Sequence, residues 1–149
     1  MNWKTSSFEE LSLNELYDII RIRIEVFAVE QDCVYQDLDG YDQKAWHLMG
    51  TENGELVAYA RLFAPGDKYP TSSIGRIVTA ATHRAKGIGK ELVRESIREC
   101  RRLFGEVDIS ISAQCYLDRF YTGLGFIAVS EVYLEDGIDH QEMILRADS

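Results

Sequence analysis

The six residues Arg84-Ala85-Lys86-Gly87-Ile88-Gly89 constrain the fold more than any other stretch of the chain. They follow an apolar run, residues 73–79, that reads as a buried strand. They precede residues 87–103, where Ile88, Leu92, Val93, Ser96, Ile97, Cys100 and Leu103 recur at helical spacing. A strand, a turn with two glycines and a long amphipathic helix must therefore follow one another without a break. Glycine lets the backbone come close to another group. The first turn of a helix leaves N–H groups without intrahelical partners, and the positive end of the helix dipole aims at the same point. With Arg84 and Lys86 on its flanks, the turn is an anion site suited to a phosphate or pyrophosphate.

The rest of the chain supplies elements to set around that unit. Residues 3–8 form a short first strand. Ser12-Leu13-Asn14-Glu15 is a capping box, and behind it Leu16, Ile19, Ile20, Arg23, Val26 and Phe27 place a helix over residues 13–29. Arg23 falls on the apolar stripe and so needs a carboxylate, for which Glu30 is the candidate. Residues 30–42 are acidic, aromatic and turn-rich. Asp37, Asp39 and Asp42 around Gly40 do not make a calcium loop: Gly40 is fourth from Asp37 rather than sixth, and the twelfth position is Leu48 rather than Glu.

Residues 45–51 and 55–63 read as strands joined by the hairpin signal Asn53-Gly54. With residues 73–79 they make a three-stranded antiparallel meander. On the exposed side of the helix over residues 87–103, Glu91/Arg94, Glu95/Arg98 and Glu99/Arg102 are spaced to pair, each worth about 0.2–0.5 kcal/mol. Residues 107–113 alternate as a strand, residues 114–122 form a short helix, and residues 126–134 and 141–146 are two last strands joined by residues 135–140.

Composition narrows the function. A chain of 149 residues suits one domain. Its net charge of −9 argues against binding to a nucleic acid backbone and favours a cationic or amine partner. Cys33, Cys100 and Cys115 are odd in number and have no CxxC spacing, so neither a zinc site nor a disulfide framework is expected. No apolar run reaches the roughly 18 residues of a membrane span, and the first residues hold no hydrophobic signal core. Cytoplasmic residence is the expectation.

Two familiar phosphate motifs are excluded. The P-loop pattern GxxxxGK[ST] is absent. The dinucleotide fingerprint GxGxxG needs a parallel strand–helix–strand unit, whereas the strand before this turn belongs to a meander. What remains is [QR]-x-x-G-x-[GA] at Arg84–Gly89, followed by Phe120-Tyr121-Thr122-Gly123-Leu124-Gly125-Phe126 in the form FYxxxGF. These motifs, in this order with a strand between them, resemble the GNAT superfamily of acyl-CoA-dependent N-acetyltransferases. Arg23-x-Glu25-Val26-Phe27-x-Val29-Glu30-Gln31, Tyr35, Asp39-Gly40-x-Asp42, His47 and Asp136-Gly137-Ile138-x-His140 look like its ElaA-like branch. The resemblance spans nearly the whole chain.

That resemblance implies an α+β, three-layer fold with a central, mostly antiparallel mixed sheet and helices on both faces. Its third and fifth large strands would splay apart to admit the pantetheine arm of acetyl-CoA. It implies that backbone N–H groups of Arg84, Ala85, Lys86, Gly87, Ile88 and Gly89 hold the coenzyme A pyrophosphate. Ile77, Val78 and Thr79 would pair with the pantetheine arm as an added strand does. Gln114 stands where relatives have an asparagine that contacts pantetheine. Tyr121 would protonate the leaving thiolate. Many relatives carry a carboxylate on the strand before the turn, where this chain has Arg76. The general base is therefore open among Glu30, His47 and His140, and Arg76 could bind an acidic group of the substrate or pair with Asp108 or Glu30. Cys115 could in principle form an acyl-cysteine; direct transfer in a ternary complex is the expectation. A non-catalytic acyl-CoA-binding module is the alternative, and a homodimer is compatible with the strand edges. No metal is expected. The segment from Asp32 to Asp42 would rim the site for a cationic amine.

Overall fold

In the computed structural model, which describes residues 1–148, the Ser12–Glu15 capping box does start a helix. Glu15 N–H donates to Ser12 Oγ at 3.0 Å, and Ser12 N–H to Glu15 Oε1 at 2.9 Å. That helix, α1 (Leu13–Arg23), ends six residues earlier than the apolar spacing predicts. Its continuation over Ile24–Glu30 is a wider π-type coil, with Cys33 N–H reaching Ala28 O at 2.9 Å, and buries none of its residues. The stripe persists there only in part: Val26 and Phe27 pack half-buried against the cluster that Ile19 and Ile22 fill.

Among the described residues, eight strands form one sheet: β1 (Asn2–Ser7), β2 (Trp46–Glu52), β3 (Glu55–Phe63), β4 (Ser72–Thr79), β5 (Ile109–Gln114), β6 (Ile127–Ala128), β7 (Tyr133–Glu135) and β8 (Ile138–Leu145). Their order is β1-β2-β3-β4-β5-β8-β6, with β7 also on β8. Every pairing is antiparallel except β4 with β5. The meander is as expected, with β1 added to its edge. At that edge Gly50 admits the Trp3 ring, which a Cβ would meet at 2.6 Å.

Helices cover both faces because β3 is apolar on both. Tyr59 joins Ile19 and Ile22 of α1, with Met49 and Val78, in one core cluster. Ala58, Ala60 and Leu62 face the other, filled by Leu92, Val93 and Cys100 of α2 (Ile88–Phe104) and by Tyr121 of α3 (Asp118–Thr122). On the outer side of α2, Glu95–Arg98 and Glu99–Arg102 pair. Glu91 does not follow them; it accepts from the Trp3 indole at 2.9 Å.

The C-terminal third departs most from the pattern. The strand predicted over residues 107–113 begins at Ile109, because Asp108 caps the chain end: it accepts from Ala147 N–H at 2.9 Å and from Arg146 at 3.2 Å. Ser110, which alternation would turn to solvent, is buried and meets Thr71 Oγ1 at 2.5 Å. The predicted strand 126–134 is two short strands, broken where Ser130 Oγ accepts from Glu142 N–H at 2.9 Å. Residues 135–140 are not a loop. Asp136 and Gly137, at φ +52° and +76°, form the tight turn of a β7–β8 hairpin.

Candidate active site

The parallel seam between β4 and β5 holds at only two points, Ser72 with Ile109 and Ser73 with Ser110. Beyond Ser73 the strands part, and a cleft of about 1080 Å³ opens between them. The splayed pair is thus the fourth and fifth strands, not the third and fifth: β1 shifts the count, and β3 stays bonded to β4 along its length. A bulge helps the opening. Between the pairs Tyr59–Val78 and Arg61–Gly75, β3 has one residue where β4 has Arg76 and Ile77, and Arg76 sits at φ +48°.

At one end of the cleft stands the glycine turn. Ala85 and Gly87 both have positive φ, +64° and +77°, and Gly87 is the N-cap of α2, so no side chain covers the helix start. Gly89 lines the cleft, where a Cβ would touch Thr79 Oγ1 and the Phe120 ring at 3.9 Å each. The turn therefore offers uncovered N–H groups beside a narrow wall, which fits a pyrophosphate. Of the predicted turn residues, Arg84, Ala85, Gly87 and Gly89 line the cleft. Ile88 turns its side chain into the core and Lys86 is exposed, so either could contribute only through its backbone. Lys90, which sequence reasoning passed over, does line the cleft; it sits three residues past Gly87, in the first turn of the helix.

Arg84 and Glu30 form an ion pair across this end, with Arg84 Nη2 at 2.6 Å from Glu30 Oε2. Their hydrogen bond lowers the Glu30 pKa and raises that of Arg84. Arg84 also donates to Thr79 O at 3.1 and 3.2 Å, so that carbonyl, expected to serve pantetheine, is already engaged. Ile77, Val78 and Thr79 all border the cleft, with the Val78 side chain buried on the α1 side. Gln114 borders it too, but its amide exchanges hydrogen bonds with Gln31 at 3.3 Å.

Tyr121 lines the cleft from α3 and is 5% exposed. Phe120 and Phe126 meet its ring edge-on at 5.1 and 5.9 Å. Burial, with Tyr116 nearby, raises the phenol pKa above its ordinary value, so the hydroxyl keeps its proton at neutral pH. Cys115 is not part of the cleft wall, which removes the geometry for an acyl-cysteine.

The acidic segment is turned inward. Arg23 pairs with Asp37 at 3.1 Å and Asp42 at 2.8 Å, not with Glu30. Arg61, fully buried on β3, pairs with Asp42 at 2.9 Å and Asp39 at 2.5 Å. Arg76 takes Asp37 at 3.0 Å, in place of either predicted partner, Asp108 or Glu30. Burial alone would raise the Asp39 and Asp42 pKa values, but the arginines hold both well below the usual carboxylate range. These aspartates are therefore committed to the fold and do not rim the site for a cation. The network was the main feature missed; its signal was a lone Arg61 inside the apolar run Leu56–Phe63.

His47 joins that network and not the cleft. It is fully buried, with Nδ1 2.6 Å from the Tyr59 hydroxyl and Nε2 3.0 Å from Asp42 O, and burial lowers its pKa. Its predicted substrate role is excluded by position. His140 does line the cleft, with Glu135, Asp136, Lys68 and Tyr35.

A mixed sheet with helices on both faces, split after the fourth strand beside a glycine turn, defines the acyl-CoA N-acyltransferase fold. Comparisons agree. Residues 10–147 match the family described as the acetyltransferase (GNAT) domain, and the chain belongs to that family. It is 41% identical over 147 residues to a UPF0039 protein of Synechocystis, covering 98% of this chain and 96% of that one. It is 38% identical over 142 residues to the protein ElaA of Escherichia coli, covering 94% and 93%. The crystal structure of E. coli ElaA superposes with a TM-score of 0.90 at 37% identity, covering 96% of this chain and 97% of that one. An acyl-CoA N-acyltransferase from Pseudomonas aeruginosa gives 0.91 at 39%, covering 97% and 99%.

Proposed function

We propose that the protein transfers an acetyl group from acetyl-CoA to a primary amine of a small molecule or peptide, by direct attack in a ternary complex. The observation that carries this reading is that one cleft contains both an uncovered glycine turn at a helix start and a buried, protonated phenol. The turn at Arg84–Gly89 binds the pyrophosphate, and the open edge of β4 after Ser73 takes the pantetheine arm. The amine nitrogen then bonds to the acyl carbon as the carbon–sulfur bond breaks, and Tyr121 donates hydrogen to the departing sulfur.

The acceptor enters at the far side, past Tyr35, Lys68 and Glu135. Attraction for an amine there comes from Glu135 and Asp136, since Asp37, Asp39 and Asp42 are neutralised by arginine. Tyr121→Phe tests the reading. The expected result is a kcat lowered by about 10²-fold or more, measured as thiol release over a panel of amines, with coenzyme A affinity by titration calorimetry unchanged. An unaltered rate removes Tyr121 from the mechanism.

A further inference from the structure

Amine attack needs a group that removes a proton from an ammonium, and the sequence leaves that group open. We propose that His140, braced by Glu135, is the proton acceptor for the incoming amine. The assignment rests on the acetyl transfer reading above and adds the residue that reading lacks.

The orientation of the ring is determined by its partners. His140 Nδ1 lies 2.7 Å from Ile138 O. A carbonyl oxygen only accepts, so Nδ1 carries the hydrogen, and the lone pair of the neutral ring is on Nε2. Nε2 lies 3.4 Å from Glu135 Oε2. A lone pair facing a carboxylate is an unfavourable contact. Once Nε2 takes a proton, the same contact becomes an ion pair. The geometry thus stabilises the imidazolium that proton abstraction forms.

The brace is itself held. Ser112 Oγ is 3.4 Å from Glu135 Oε1 and also meets the Tyr133 hydroxyl. The Tyr133 ring stacks on His140, with centroids 6.2 Å apart and planes 24° from parallel. The groups around the ring are therefore Glu135 and Tyr133 from β7, and Ser112 and Gln114 from β5. Asp136 lies beside it in the hairpin turn, and Lys68 and Tyr69 line the same cleft. His140 is opposite Gln114 in the β5–β8 register, at the end of β5 farthest from the β4 seam, and it lines the same cleft as Tyr121.

The other candidates are spent. Glu30 stands beside Arg84 at the glycine-turn end of the cleft. His47 is sealed behind β3 with both nitrogens engaged. Arg76 is a cation.

The protons balance. The ammonium nitrogen loses two. One goes to His140 Nε2 and from there to solvent, which frees the lone pair that attacks. The second leaves as the amide forms and replaces the hydrogen that Tyr121 gives to the sulfur. The products are the N-acyl amine, the free thiol of coenzyme A and one proton.

The test is the pH profile of kcat/KM for the full chain, with acetyl-CoA and the best primary amine of a panel. Wild-type protein should lose activity on the acid side. His140→Gln should be about 10²-fold slower at neutral pH. Its acid limb should move up to the pKa of the amine itself, so that activity recovers as the free amine accumulates. Glu135→Gln should also be slower at neutral pH, by less than His140→Gln, because the carboxylate 3.4 Å from Nε2 is gone. Added imidazole should restore part of the activity of His140→Ala. Coenzyme A affinity by calorimetry and thermal stability should stay at wild-type values in all three. A His140→Gln profile that superposes on wild type overturns the assignment and leaves the acetyl transfer reading intact. No thiol release by wild-type protein with any amine overturns both.

Discussion

Two sets of arginine–carboxylate contacts hold the chain together, and they differ in what water can reach. At the turn, Arg84 and Glu30 are both about two-fifths exposed, at 41% and 40%. Around Arg23, Arg61 and Asp42 the side chains are 1%, 0% and 10% exposed. The exposed pair is screened and worth at most about 1 kcal/mol. On the proposed function it would part to let a pyrophosphate approach the Arg84 guanidinium. The buried set cannot part, because each member that loses a partner leaves a charge stranded in the core. One chemistry thus serves two ends: an exposed, separable contact beside the glycine turn, and a rigid anchor that ties residues 37–42 to α1 and β3.

Substitutions can break or sharpen this contrast. The largest effect should come from Asp42→Ala, which strips a partner from both Arg23 and Arg61. We expect a loss of about 3–5 kcal/mol in chemical denaturation; a loss below 1 kcal/mol would show that Asp37 and Asp39 can take over. Next is Gly87→Glu at the exposed end. It sets a side chain and a negative charge where the pyrophosphate would lie, at a position with φ +77°. Coenzyme A affinity should fall by at least about 10²-fold, near 3 kcal/mol, while the buried set keeps the fold. Unchanged affinity would sink the assignment of the turn.

A smaller effect separates the regions by pH. His47, within the buried set, has a depressed pKa and is neutral in the folded chain. The unfolded chain takes up a proton near pH ~6.5 and the folded chain only at lower pH. Stability should therefore be complete above that value and fall as the pH drops below it, by up to about 1.4 kcal/mol per pH unit. Asp39 and Asp42 add a further loss only below about pH 4. His47→Gln should flatten the first step in a thermal-melt series and leave the second; a slope that persists assigns it to another group. The smallest effect belongs to Glu30→Gln, which should cost under about 1 kcal/mol in stability. A larger loss would mean that the turn end is as rigid as the core.

Much of this is legible in the sequence. The α2 helix was readable from its stripe of Ile88, Leu92, Val93 and Cys100, because one face of a helix has only one period that can bury it. Asn53-Gly54 placed the β2–β3 hairpin. Asp136-Gly137 carries the same signal, but the sequence reading ends one strand at residue 134 and starts the next at 141, whereas in the structure β7 and β8 run up to the turn. The glycine turn and Tyr121 were found because they are local. Residues whose duties depend on distant partners were not. His47 and His140 are alike as residue types, yet one is buried behind β3 and the other lines the cleft. Arg76 was read without the bulge that gives it φ +48°.

The sequence by itself determined the strand–turn–helix unit at residues 73–103, because glycine conformations, helix ends and apolar spacing are properties of neighbouring residues. It also determined that Arg23 would need a carboxylate, since an arginine on an apolar stripe cannot be left unpaired. Only the tertiary structure decided which carboxylates meet it. It also turned the acidic loop inward and let β4 and β5 separate after two residue pairs. It alone brought His140 to Glu135 in the cleft that Tyr121 lines. Those outcomes depend on strand order and on how a loop packs across a sheet, and contacts between residues far apart in the chain leave no periodic trace in it.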